Sequence, residues 1–162
     1  MRINEGTEWA IHCCAVLASL PEKTALPAQK LAEFFDLPEH YLAKHLQQLS
    51  AARIVVTRKG PGGGYQLAKS PDKIPLLAIV EAVDGKGPSF RCTEIRQRGP
   101  TGQAPGCYKR PCGIARTMWK AEKAWRAELK KVSLSDIQRM GMQETPKQQI
   151  EQSIQWFQDV LK

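Results

Sequence analysis

The feature that most restricts the fold is a pair of short amphipathic stretches followed directly by a glycine-rich hairpin. Apolar residues recur at helical spacing over 27–35 and over 38–52, with a two-residue turn between them. Two short helices joined this way are typical of a helix-turn-helix, whose second helix enters the DNA major groove. The β-branched run 54–57, the basic glycine-rich stretch 58–64 and the run 65–67 predict a hairpin. We therefore expect a mainly α fold that contains a winged helix-turn-helix with a small antiparallel β wing.

The second helix and the wing carry the residues expected to contact DNA. The groove-facing side of that helix is expected to present His40, Tyr41, Lys44 and Gln47. Of these, Lys44 and Gln47 have side chains suited to reading base edges. The apolar face of the same helix is assigned Tyr41, Leu42, Leu46 and Leu49. In the wing, the expected contacts to phosphates or the minor groove are Arg58, Lys59 and the backbone of Gly62 and Gly63.

Charge supports the same class of partner. The 162 residues carry a net charge of +8, which favours an anionic partner, here double-stranded DNA, although charge also serves solubility. No apolar run approaches the roughly 20 residues of a membrane span. The N-terminus has no signal-peptide pattern, so we expect a cytoplasmic protein that does not contact a membrane. A small-molecule substrate is not expected.

The remaining helices are predicted from apolar periodicity. Residues 7–19 form a first helix, with Thr7 as a possible N-cap, and 76–83 form a buried helix. Residues 112–132 predict one long helix with an apolar stripe, which serves either as a dimer interface or as intramolecular core. A short helix over 133–140, capped by Ser133 or Ser135, is followed by a polar linker at 141–149. A last amphipathic helix covers 150–161.

The long loop before that long helix contains three cysteines, Cys92, Cys107 and Cys112. A long loop without regular structure inside a compact chain usually has a function, so we expect either a bound group or a mobile insert. Glu8 and His12 are four residues apart and share one face of the first helix. Thiolates with a carboxylate and an imidazole form a mixed ligand set for an iron–sulfur cluster or zinc. Cys13 and Cys14, inside an apolar helix, are expected to be buried thiols.

These motifs together resemble the IscR/NsrR/RsrR family of dimeric iron–sulfur transcriptional regulators. The resemblance rests on Tyr41-Leu42, the wing 58–65, the helix 78–83, and the cysteine loop followed by Trp119, and it covers roughly residues 1–140. Three further segments, 8–10, 12–14 and 92–100, are most similar to RsrR, the redox-sensing member of the family. The resemblance implies a homodimer that binds a two-fold symmetric operator.

The resemblance also implies the cluster ligands. The candidates are Cys92, Cys107 and Cys112 of the loop together with Glu8 and His12, often from the other subunit. RsrR-like members bind [2Fe–2S] through two cysteines, a glutamate and a histidine, whereas NsrR-like members bind [4Fe–4S] through three cysteines and a carboxylate. Fourteen residues separate Cys92 from Cys107, and Ala115 stands where IscR has a ligating histidine. These departures favour [2Fe–2S] over [4Fe–4S] and leave the role of Cys107 open.

Trp9 lies between the two candidate ligands of the first helix and is the candidate for a switch that reorients with the charge of the cluster. Two alternatives to a cluster-controlled regulator remain. One is a winged-helix regulator that binds zinc or senses oxidants directly through its thiols. The other, a redox or metal enzyme, is disfavoured because the chain has no Cys-x-x-Cys motif and no nucleophile with a paired base.

The expected domain organisation has four parts. Residues 1–84 form the winged helix-turn-helix domain, and 85–111 form the cysteine-rich cluster-binding loop. Residues 112–140 form the dimerisation helices, and 141–162 form a C-terminal tail or helix.

Overall fold

A computed structural model describes residues 3–162, so residues 1 and 2 of the predicted first domain lie outside it. The helices are α1 (Glu5–Ser19), α2 (Ala28–Phe35), α3 (Glu39–Ala51), α4 (Leu76–Asp84), α5 (Gly113–Lys131), α6 (Leu134–Glu144) and α7 (Lys147–Val160). The strands are β1 (Val55–Arg58) and β2 (Gly64–Leu67), which pair antiparallel. The predicted fold class, mainly α with a small antiparallel wing, is confirmed.

The first helix begins earlier than predicted, and Thr7 is not its N-cap. The side chain of Asn4 caps the helix by accepting a hydrogen bond from the Gly6 N–H at 3.0 Å. Thr7 is fully buried in the first turn, where its hydroxyl donates to the carboxylate of Asp84 at 2.9 Å. Because an N-cap needs only one short acceptor side chain, Asn4 leaves Thr7 free to join α1 to the end of α4.

The core lies between α1, α3 and α4. It includes Ala10, Cys13, Cys14, Leu17, Leu42, Leu46, Leu49, Ile79 and Val83. Cys13 and Cys14 are fully buried, as predicted. Burial raises the pKa of the Cys13 thiol to about 12 and that of Cys14 well above its ordinary value. Both are therefore packing residues without thiolate character.

The wing is held to the segment before α2. Leu26 and Tyr65 exchange two backbone hydrogen bonds, of 2.9 and 2.8 Å, so Leu26 acts as a short third strand beside β2. Gly64 has φ +142°, and a Cβ at this position would overlap the backbone carbonyl of Leu26. A residue without a side chain is thus required where the wing meets the helix-turn-helix.

The C-terminal part of the chain is more helical than predicted. The side chain of Ser133, one of the two expected caps, accepts from the Asp136 N–H at 3.1 Å and begins α6. However, α6 continues to Glu144, and α7 begins directly after Pro146, so the predicted linker at 141–149 is wrong. The polar residues there form helix faces, and the break arises because Pro146 cannot continue a helix. Within residues 3–162, no helix is long and apolar enough to span a membrane.

Candidate functional site

The outer face of α3 presents the side chains expected to read DNA. Tyr41, Lys44 and Gln47 follow one another at three-residue spacing and are all exposed. Tyr41 is 57% exposed, so its assignment to the apolar face is wrong, while its groove-facing assignment remains a prediction. The exposed ring of His40 packs on that of Tyr41, with 4.2 Å between centroids. The opposite face is buried, which leaves one side of α3 free for a partner.

The tip of the wing is exposed, basic and tightly turned. Arg58 and Lys59 are exposed at the end of β1. The turn closes through a hydrogen bond from the Gly63 N–H to the Gly60 carbonyl at 2.9 Å. Gly62 has φ +68°, and a Cβ on Gly63 would overlap the Arg58 carbonyl. The glycines are therefore needed for the turn itself, and they also leave its backbone open to a phosphate group.

Glu94 brings together the two ends of the cysteine loop. Its Oε1 accepts from the Cys92 thiol at 3.7 Å and from the backbone N–H of Cys112 at 3.4 Å. Its Oε2 accepts from Nε of Arg96 at 2.8 Å, and this bond holds the pKa of the Glu94 carboxyl below its ordinary value. The guanidinium of Arg96 also donates to the carbonyl of Arg110 at 2.6 Å. Sequence reasoning missed Glu94, although its position two residues after Cys92 was a usable signal.

Cys112 lies at the N-terminus of α5, where it is the N-cap residue. The backbone N–H groups of Ala115 and Ile114 hold the pKa of its thiol below the ordinary value. A helix N-terminus stabilises negative charge, so this thiol favours the thiolate form that binds metals.

Cys107 is placed differently from the other two loop cysteines. It is exposed at the end of a short 3₁₀ turn, Pro105–Cys107. Among the hydrogen bonds of residues 3–162, none involves its thiol, whereas Cys92 and Cys112 share Glu94. The loop therefore presents a pair of associated cysteines and a third, separate one.

Glu8 and His12 lie on the exposed side of α1. The His12 ring packs against the ring of Phe35, with 5.6 Å between centroids. Within residues 3–162, no three His, Cys, Asp or Glu side chains are close enough to hold a metal ion. A single chain therefore does not bring the loop cysteines together with Glu8 and His12. The donor types fit an iron–sulfur cluster: a pair of associated thiols, one of them with a lowered pKa at a helix N-terminus, and a carboxylate and an imidazole on an open face.

Trp9 connects α1 with the candidate DNA-reading helix. Its half-buried ring meets that of His45 edge-on, with 6.2 Å between centroids. His45 lies on the buried face of α3, and its Nδ1 is hydrogen-bonded to the side chain of Gln48 at 2.9 Å. Gly6 fits directly against the His45 ring, because a Cβ there would overlap it. Sequence reasoning missed His45, since only the tertiary contact identifies it.

The apolar stripe of α5 is largely uncovered. Ile114, Met118 and Trp119 are 67%, 43% and 42% exposed. Trp125 and Leu129, nearer the end of the helix, are half-buried. The first half of the stripe is thus not intramolecular core within the described chain.

The comparisons with known proteins place this architecture in a family. Residues 3–140 match the Rrf2 family of iron-dependent transcriptional regulators. The chain belongs to the Rrf2 family. Members of the family are transcriptional regulators rather than enzymes, so the chain is a DNA-binding regulator.

Two curated relatives illustrate the match. BadM of Rhodopseudomonas palustris is 32% identical over 87 residues, which are 54% of this chain and 55% of BadM. The HTH-type transcriptional regulator NsrR of Geobacillus kaustophilus is 30% identical over 84 residues, covering 52% of this chain and 57% of NsrR. The aligned segments thus span little more than half the length of these relatives.

The fold has close counterparts among solved structures. IscR of T. potens superposes with a TM-score of 0.66 at 19% identity, covering 91% of this chain and 93% of IscR. At this identity the likeness establishes the shared fold alone.

Proposed function

We propose that this Rrf2 protein is a homodimeric, cytoplasmic transcriptional regulator whose affinity for a two-fold symmetric operator is controlled by an iron–sulfur cluster. A [2Fe–2S] cluster is favoured. The observation that carries the proposal is the association of Cys92 and Cys112 through Glu94, in a family described as iron-dependent. Cys107 stands apart, which supports a site with two cysteines rather than three.

The ligand set proposed for the cluster is Cys92 and Cys112 of one subunit with Glu8 and His12 of the other. Glu8 and His12 are exposed, and they do not form a metal site with the loop of their own chain within residues 3–162. The uncovered stripe of α5 is proposed as the surface that pairs the two subunits. A dimer formed there would explain both an open apolar face and an incomplete ligand set.

The cluster, when bound, supplies a change of charge on gaining or losing an electron. Trp9 is adjacent in sequence to Glu8 and packs on His45, which is part of the helix that carries Lys44 and Gln47. We propose that Trp9 transmits the state of the site to α3 through this contact. If so, the Trp9→Phe variant should bind DNA, but its affinity for DNA should change less when the cluster is oxidised. A variant that responds like wild type would remove Trp9 from the coupling.

Iron analysis tests the cluster. Protein purified without oxygen should be coloured, with about two irons and two sulfides per cluster. Cys92→Ser and Cys112→Ser should lose the colour, while Cys107→Ser, the matched control, should keep it. Loss of colour in Cys107→Ser would instead indicate a three-cysteine [4Fe–4S] site. Colourless wild-type protein with stoichiometric zinc, or without metal, would overturn the cluster proposal in favour of a zinc site or a thiol switch.

DNA selection tests the interface. Wild-type protein should select a two-fold sequence from random DNA, with half-sites about one helical turn apart. Lys44→Ala should relax that preference, because Lys44 is positioned to read base edges. Lys59→Ala should weaken binding to all sequences and reduce the salt slope by about one. If an Arg58→Ala/Lys59→Ala variant bound like wild type, the wing would have no part in binding.

A further inference from the structure

The C-terminal helix is connected to His12 by a continuous row of aromatic rings. Trp156 and Phe157 of α7 pack on Phe34 of α2, with centroid distances of 5.2 and 4.7 Å. Phe34 meets the neighbouring ring of Phe35 edge-on at 4.9 Å. Phe35 in turn packs on the imidazole of His12 at 5.6 Å. Five rings thus join α7 to the exposed face of α1.

The imidazole of His12 has few other constraints. Its side chain is exposed, and none of the hydrogen bonds among residues 3–162 involves it. An exposed side chain samples several rotamers unless a neighbour excludes some of them. Phe35 is therefore the aromatic contact that restricts the orientation of His12.

Helix α7 packs on Phe34, the neighbour of Phe35 in α2. Phe34 and Phe35 form the last turn of α2, and the chain then turns at Asp36 in a left-handed conformation. Phe34 is half-buried in the folded chain, and α7 supplies two of the rings that cover it. Phe157 and Val160 also pack against the main core. Helix α7 therefore holds the end of α2 between itself and α1.

Helix α7 lies outside the part of the chain shared with the family. The family match ends at residue 140, whereas α7 is Lys147–Val160. The packing of Trp156 and Phe157 on Phe34 is consequently a feature that the family match does not supply.

We propose that α7 is a positioning element for the metal site, in which Trp156 and Phe157 fix Phe34 and Phe35 and thereby the imidazole of His12. The role of His12 as a ligand rests on the proposed function, but the packing that orients the ring does not. Phe34 and Phe35 are positioning residues, since neither side chain supplies a metal-binding atom. Contacts that hold a ligating side chain in one orientation support its affinity for the metal.

Proton NMR of the full-length, metal-free protein tests the packing. The chain has three histidines, so the spectrum contains three Cε1–H signals, and His12→Gln identifies that of His12. The Trp156→Leu/Phe157→Leu variant should shift the His12 signal and leave the buried His45 signal in place, which shows that the core is intact. Ile154→Ala, which removes an exposed apolar side chain from the same helix, should shift none of them. An unmoved His12 signal in the folded double variant would overturn the proposal.

Two further measurements complete the test. Phe35→Leu should shift the His12 signal at least as far as the double variant, since it removes the ring in direct contact. A shift in Phe35→Leu alone would show that α7 has no part. In cluster-loaded protein, the double variant should release iron to a chelator about tenfold faster than Ile154→Ala, the lower end of what loss of a ligand-orienting contact costs. Equal rates of iron release would show that this packing does not affect how the site holds its metal. Absence of iron in wild-type protein would overturn the proposed function and leave the NMR result valid.

Discussion

Arg126 of α5 and Glu81 of α4 form an ion pair in which Nη1 and Oε1 are 2.6 Å apart. The same guanidinium pairs with Glu122 at 3.0 Å and donates to the carbonyls of residues 86 and 87. Glu122 also accepts from the backbone N–H of Ser89 at 3.0 Å. Arg126 thereby fixes the angle between α4 and α5 and the point where the chain enters the cysteine loop. Sequence reasoning missed it, although its four-residue spacing from Glu122 was visible.

Arg126→Leu should therefore be strongly destabilising. It leaves two partly buried carboxylates without their partner, which costs about 1–3 kcal/mol in the free energy of unfolding. Urea denaturation measures the change. Lys131→Leu is the control, because its pair with Glu128 is 68% and 70% exposed and contributes less than about 1 kcal/mol. Equal effects of the two substitutions would show that the Arg126 network is not structural.

Gly64→Ala should detach the wing from the helix-turn-helix. The added Cβ overlaps the carbonyl of Leu26, so the two hydrogen bonds between Leu26 and Tyr65 must lengthen or break. We expect a loss of about 1–3 kcal/mol in the free energy of unfolding, together with faster amide exchange at Leu26. Gly60 also has a positive φ, but a Cβ there would meet nothing within 4 Å. Gly60→Ala therefore measures the cost of the backbone conformation, and the difference between the two variants gives the cost of the steric overlap. Gly64→Ala should be less stable than Gly60→Ala. Equal free energies of unfolding would contradict the close approach of Gly64 to Leu26.

Cys112 should react with iodoacetamide at a lower pH than an ordinary thiol. The backbone N–H groups of Ala115 and Ile114 lower its pKa, so half of its thiol is ionised below the ordinary value of 9.0. Mass spectrometry of metal-free protein labelled across a pH series measures this. Cys13, whose pKa is raised to about 12, should stay unlabelled in the folded protein and serves as the internal control. Half-labelling of Cys112 at or above pH 9 would contradict the effect of the helix N-terminus.

Glu94→Gln should remove a pH-dependent contribution to stability. Because the folded pKa of Glu94 lies below its ordinary value of 4.5, the carboxylate stabilises the fold above that pH. That contribution disappears as pH falls through the folded pKa, so the difference in unfolding free energy between wild type and variant should narrow as the pH is lowered below 4.5. Urea denaturation at several pH values measures the gap. A constant gap for Glu94→Gln would be inconsistent with this account.

Local sequence was sufficient for most of the elements. The helix-turn-helix and wing were predictable because apolar spacing and turn glycines encode them within short stretches, and the structure has them at α2, α3 and the β1–β2 hairpin. The start of α1 was misplaced because both Asn4 and Thr7 are acceptable caps. Only the partner of Thr7, which is 77 residues away at Asp84, distinguishes them. The linker at 141–149 was wrong because polar composition alone does not separate a loop from an exposed helix.

The candidate site likewise has a part that the local sequence predicts and a part that only the folded structure shows. Residue type and spacing nominate Cys92, Cys107, Cys112, Glu8 and His12 as candidate ligands, because ligand chemistry belongs to the side chains themselves. The association of the two cysteines depends on Glu94 and Arg96, and that of Trp9 with α3 depends on His45. The contacts of Glu94 with Cys112 and of Trp9 with His45 join residues far apart in sequence, so periodicity carries no information about them.

The chain thus encodes its helices, its wing and its possible ligands in local patterns of apolar, glycine and cysteine residues. The folded structure shows which segments meet. Glu94 lies between Cys92 and Cys112, Arg126 pairs with Glu81 next to the start of the loop, and α7 packs against Phe34. The physical reason is that propensity and periodicity act over a few residues, whereas packing and ion pairing act between segments far apart in sequence. The separation of Cys107 from the other two loop thiols is likewise visible only in the folded structure.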